Sequence, residues 1–138
     1  MGFVNNCLWE YRDNLNIIEL KKEELAELQS VSSQKYSTFP PSDGNISDPI
    51  QRVFYLRQKL EHEIKAVERK TKPVTLMLES LSVRLMREYQ MRKILEYRFF
   101  AHEPIDFVIR KLAISERTYR RRCREIRSIA YKYFHECK

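Results

Sequence analysis

Within residues 104–134 two helical phases follow one another with a single break. Ile105, Val108, Ile109 and Leu112 fall at i, i+3, i+4 and i+7, one face of a first helix. Pro104 precedes them and suits a first turn, where a missing N–H costs nothing. Ala113 and Ile114 follow, then Ser115, whose hydroxyl can accept from an otherwise unpaired N–H of a next helix. Thr118 stands where a capping box would place Glu or Gln, so the cap rests on the serine alone. From Glu116 onward, Tyr119, Cys123, Ile126, Ala130 and Tyr133 recur at spacings of 4, 3, 4 and 3 and form one apolar stripe. Any fold that satisfies both stripes must pack the two helices through a turn of about three residues.

The polar side of the second helix is as constrained as its apolar side. Arg117, Arg121, Arg124 and Ser128 oppose the stripe. Arg120 and Arg127 flank them on one side, Thr118, Arg122 and Glu125 on the other. Six arginines lie between Arg117 and Arg127. A basic, solvated helix face accounts for such a cluster equally well when it stands alone. Joined to a short preceding helix, a capped turn and a core-facing stripe, it reads as a helix-turn-helix, with the second helix placed for the DNA major groove. Residues at the leading end of a recognition helix reach base edges, so Glu116, Arg117, Thr118, Arg120 and Arg121 are the candidates nearest the bases, and the cap Ser115 is counted with the DNA-binding residues. Arg122, Arg124 and Arg127 are candidates for phosphates. Tyr119 and Cys123 read as core.

Charge divides the chain in the same place. Residues 84–138 hold 15 Lys and Arg against 7 Asp and Glu, a net of +8; residues 1–83 hold 11 against 12, a net of −1. A polyanion-binding module joined to a near-neutral module of different task is the expected organisation. The expected boundaries are 1–46 for an amphipathic helix and linker, 47–83 for a helical scaffold or oligomerisation region, and 84–138 for the DNA-binding domain. With two glycines among 138 residues and Leu, Ile, Glu, Lys and Arg prevalent, the expected class is all-α, with a coiled-coil-like N-terminal extension.

Along that extension, residues 5–31 carry Leu8, Tyr11, Leu15, Ile18, Leu25 and Leu28 at near-helical spacing. A lone amphipathic helix cannot bury its stripe. Its partner lies either in this chain or in a second copy, and the imperfect heptad leaves both open. Residues 32–49 read as a linker, with three of the five prolines; the sequence leaves open whether Tyr36 and Phe39 pin it locally. Ser47, Asp48 and Pro49 are expected to open a second helix with Ile50, Val53, Phe54, Leu60, Ile64 and Val67 on one stripe. Thr71, Lys72 and Pro73 are expected to interrupt it. A further helical stretch covers 74–100, as one helix or two, with a break near 80–82. Leu85, Tyr89, Ile94, Leu95, Arg98 and Phe99 are expected to supply the scaffold for the last two helices.

No apolar run approaches the ~20 residues of a membrane span, and residues 1–11 lack the pattern of a signal peptide. A cytoplasmic protein that sits on DNA is expected. Cys7, Cys123 and Cys137 form no close pair, and His62, His102 and His135 stand apart from them, so neither disulfide nor metal is expected. There is no glycine-rich phosphate loop, HExxH or GxSxG, and Glu61, Glu63 and Glu68 read as a solvated face. Catalysis and cofactors are not expected.

Residues 95–129 resemble the region-4 helix-turn-helix of bacterial sigma factors. Leu95, Arg98, Phe99 and Phe100 match a scaffold end. Ile105, Asp106, Val108 and Leu112 match the first helix, and Ile114 to Arg121 the turn and second helix. The whole chain is similar to small phage-encoded transcriptional regulators of the RinA and ArpU type. That resemblance implies a phage or prophage late-gene activator working at promoter DNA with host RNA polymerase. One position departs: Ala113 stands where such turns carry glycine. If it is left-handed, alanine costs on the order of 1 kcal/mol there. The rival readings are a DNA-packaging subunit like a phage small terminase, a protein-binding anti-activator whose basic helix meets an acidic partner, and a nucleic-acid binder without sequence preference. A homodimer through the N-terminal helices is expected from their unpaired stripe.

Overall fold

The structure, a computed structural model, describes residues 2–35 and 49–136. The described residues are helical with no strand, in the order α1 (Gly2–Trp9), α2 (Tyr11–Lys35), α3 (Pro49–Ser80), α4 (Met86–Ile94), a π-helical turn (Leu95–Phe100), α5 (Ile105–Leu112) and α6 (Glu116–Glu136). The all-α expectation holds. Residues 36–48, with Tyr36, Phe39, Ser47 and Asp48, lie outside the described residues, as does Cys137.

Two compact units divide the chain. Residues 1–15 and 69–138 make the first, residues 16–68 the second. In the first unit one core collects Leu8 and Tyr11, Val74 and Met77, Met91, Ile94 and Leu95, Val108, and Tyr119, Cys123, Ile126 and Ala130. Leu8, Val74, Ile94, Leu95 and Val108 expose nothing to solvent. Burying each such side chain stabilises by about 1.5–3 kcal/mol. For Leu8 and Tyr11 the partner left open by the sequence is therefore in this chain. Tyr11 also bonds Thr75 through their hydroxyls at 2.6 Å. The join at Glu10 is slight, because Glu10 N–H donates to Asn6 O and Asn14 N–H to Glu10 O, both at 2.8 Å.

The second unit pairs the remainder of α2 with the start of α3. Ile18 and Ile64 are buried in it. Lys21 Nζ donates to Glu63 Oε2 at 2.6 Å, and that bond holds the Glu63 carboxyl below its ordinary range. Leu15, Ile50 and Phe54, placed on apolar stripes by their spacing, are instead exposed.

Two local expectations are corrected, and a third local feature had no expectation attached to it. The break at Thr71, Lys72 and Pro73 is absent, and α3 runs on to Ser80 with Pro73 inside it. Proline in a helix interior removes one backbone bond and costs about 3 kcal/mol. Here its ring is fully buried beside Val74 and Met77, so tertiary burial offsets the local penalty. The chain does break after Ser80, as the second alternative had it. Leu85 and Tyr89 are not scaffold residues: 58% and 37% of their surfaces are exposed, while Ile94, Leu95 and Phe99 do face the core.

Thirdly, residues 95–100 form a π-helical turn, closed by Ala101 N–H donating to Glu96 O at 3.0 Å, five residues back. At 3.6 residues per turn Leu95 and Phe100 would lie roughly 140° apart around the axis. The wider turn swings them onto one face. Leu95, Phe99 and Phe100 are accordingly all buried.

Candidate nucleic-acid interface

The join between α5 and α6 is built by backbone bonds and one side chain. Ala113 is left-handed, at φ 54° and ψ 46°. Its N–H donates to Arg110 O, and Ile114 N–H to Ile109 O, each at 3.2 Å. These are the two bonds of a Schellman ending. Ser115 then caps α6: its Oγ accepts from Thr118 N–H at 3.1 Å and donates to Thr118 Oγ1 at 3.0 Å. The serine cap read from sequence is present, with a threonine partner instead of a capping-box Glu.

Along α6 the stripe is buried where its spacing placed it. Tyr119, Cys123, Ile126 and Ala130 are inside, and Tyr133 packs half-buried against them. Burial pushes the Tyr119 phenol up to about 12, and burial raises the Cys123 thiol as well. Both are neutral core groups at ordinary pH. On α5, Val108 is buried and Ile109 and Leu112 are half-buried, whereas Ile105 is 40% exposed.

The outward residues differ in how free they are. Ser115, Glu116, Arg117, Arg120, Arg121 and Arg124 are exposed, and Thr118 is half-buried. Among the described residues no hydrogen bond or ion pair engages Arg117, Arg121 or Arg124. Arg120 Nη2 bonds Glu116 Oε1 at 2.6 Å in an open surface pair, which contributes no more than about 1 kcal/mol and yields readily to a stronger anion. Arg122 is otherwise placed. Its Nε donates to Gln90 Oε1 at 2.9 Å, its Nη1 pairs with Glu125 at 3.2 Å, and only 13% of the side chain is exposed. Arg87 Nε joins Glu125 from α4 at 3.1 Å. Arg122 thus ties α6 to α4. Arg127 is half-buried, with its Nε buried and bonded to no protein group.

Behind α6 lies a cluster with no sequence signal. The Trp9 indole stacks on the His102 ring, centroids 4.1 Å apart and 12° from parallel, and the Arg98 guanidinium carbon lies 5.0 Å from the indole centroid. His102 Nε2 donates to Trp9 O at 2.8 Å, and Arg98 Nη1 to Glu103 O at 3.0 Å. His102 is held left-handed at φ 59°. The cluster fixes the connection into α5 against the end of α1. Contacts made across 93 residues leave no trace in local spacing.

No helix among the described residues is long and apolar enough to cross a membrane. Comparison with protein families, characterised proteins and solved structures finds no match to this chain.

Proposed function

We propose that the chain is a sequence-specific DNA-binding transcription regulator in which α5, the turn and α6 act as a helix-turn-helix. The observation that carries the reading is the exposed row Arg117, Arg121 and Arg124 opposite a buried stripe. Seven residues of helix rise about 10 Å. A row of that length matches a major groove about 12 Å wide. Glu116, Arg117, Thr118, Arg120 and Arg121 at the leading end are the base-reading candidates, and Arg124 meets phosphate. Arg122 contributes mainly by holding the helix through Gln90 and Glu125. The sigma-like resemblance extends the proposal to a phage or prophage late-gene activator that works with host RNA polymerase, in the cytoplasm of its host. A second copy joined through the N-terminal helices is part of it, supported by Leu20, Phe54 and Tyr55, which the second unit leaves 57–64% exposed.

Selection of duplexes from a random pool, followed by competition with random DNA, tests the reading. An enriched site is expected. Arg121→Ala should relax preference at one base pair by about 1–3 kcal/mol if that arginine grips a guanine. Arg124→Ala should weaken binding to every duplex alike and lower the salt slope by about 0.9. Failure to enrich any sequence overturns the regulator and leaves an indiscriminate binder. Binding only to an acidic protein favours the anti-activator, and a ring-sized assembly the packaging subunit.

A further inference from the structure

A second feature of the first unit is independent of whether α6 meets DNA. A cavity of about 290 Å³ opens among α1, the π-helical turn and α6. Asn5 and Trp9 line it from α1, Arg98 from the π-helical turn, and Tyr119, Cys123 and Arg127 from α6. No aspartate or glutamate is among its lining residues. Asn5 Oδ1 and Arg127 Nε are both buried, and neither is hydrogen-bonded to another protein group. Buried polar groups are ordinarily paired, so these two lining side chains carry an acceptor and a donor that no protein group meets.

From this geometry we infer that the cavity is a binding site for a small hydroxylated oxyanion, a phosphate monoester or a hydroxy acid. Each requirement follows from a wall group. Two guanidinium side chains with no carboxylate among the lining residues select negative charge, and Arg127 Nε–H donates to an anionic oxygen. Asn5 Oδ1 needs a donor, which a P–OH or an alcohol supplies. The Trp9 indole offers an apolar flank. The volume stands at the lower edge of small-molecule pockets, which excludes a dinucleotide and admits a handful of heavy atoms. An occupant bonded to Asn5 and Arg127 would couple α1 directly to α6.

Trp9 is the single tryptophan of the chain and lines this cavity, so its fluorescence reports on the cavity wall. The full chain is titrated separately with inorganic phosphate and with glycolate, at ionic strength held constant with sodium chloride. A saturable change in Trp9 emission with either probe is expected, with none from chloride. Saturation by phosphate alone assigns a phosphate ester, by glycolate alone a hydroxy acid, and by both the shared chemistry. Arg127→Gln and Asn5→Leu should each weaken the response about tenfold or more, the size of one lost charge-assisted hydrogen bond. Arg124→Gln, on the outer face, should leave it unchanged. Helix content measured on each variant separates loss of binding from loss of fold, and the wild-type titration against Arg124→Gln decides the matter even if both cavity variants unfold. No saturation with either probe means that water alone completes the wall and overturns the inference. A response abolished by Arg124→Gln, or unchanged in folded Arg127→Gln and Asn5→Leu, overturns it equally.

Discussion

Ala113 shows how one residue carries a strained turn. Alanine in the left-handed region costs about 1–2 kcal/mol, and the Schellman bonds around it hold it there. Ala113→Gly removes the strain but frees the unfolded chain, which returns about 0.4–1 kcal/mol. The expected net gain is about 0.5–1 kcal/mol, a rise of roughly 2–4 °C in Tm per kcal/mol for a chain of this size. A fall in Tm would mean that the backbone at 113 is not left-handed. Titration of the core also has a definite direction. Burial raises Tyr119 to about 12 from 10 and lifts the thiols of Cys123 and Cys7 above their ordinary 9. The fold favours the protonated, neutral form of all three. The unfolded chain sheds these protons first as pH rises, so stability declines from about pH 9 toward pH 12. Urea midpoints measured across that range should fall, and Tyr119→Phe should flatten the upper part of the decline. Glu63 acts in the opposite direction: its carboxyl is held down by Lys21, and its contribution is lost on acidification.

At the scale of elements, α1 is part of the core that holds α6. Leu8 is fully buried, whereas Val83 is 63% exposed in the segment after α3. Leu8→Ala should cost about 2–5 kcal/mol and Val83→Ala less than about 0.5, measured by denaturant unfolding. Equal effects would show that α1 does not belong to the core. What the sequence made legible was what local periodicity controls. α6 has one buried and one solvated face, so its spacing survives in full, and the Ser115 cap acts through bonds three residues long. Three features were hidden because distant packing overrides local preference. Pro73 stays helical because its ring and the turn after it are buried. The π-helical turn gathers Leu95, Phe99 and Phe100 onto one face, which no regular spacing signals. Arg122 looks like any other arginine of the cluster until Gln90 and Glu125 are seen to hold it. Asn5 and Trp9 carried no signal, since the residues that line the same cavity lie at the far end of the chain.

For the molecule as a whole, the proposed DNA binding and the proposed self-association fall in different units. The unit of residues 16–68 keeps Leu20, Phe54 and Tyr55 exposed, and the account assigns that surface to a second copy of the chain. Light scattering at high micromolar concentration should give twice the monomer mass, and Phe54→Glu should return the monomer. A monomer in the unaltered chain would remove the dimer while leaving α6 untouched. The other unit carries the claim on which the rest depends: a helix held by its oily side and the Arg122 network, with Arg117, Arg121 and Arg124 left open. Its most direct test is the salt dependence of duplex binding, compared between the wild type and Arg117→Gln, Arg121→Gln and Arg124→Gln combined. The account predicts a large loss of affinity and a slope of log K against log salt shallower by about 0.9 for each phosphate contact removed. A folded triple variant with wild-type affinity and slope would contradict it.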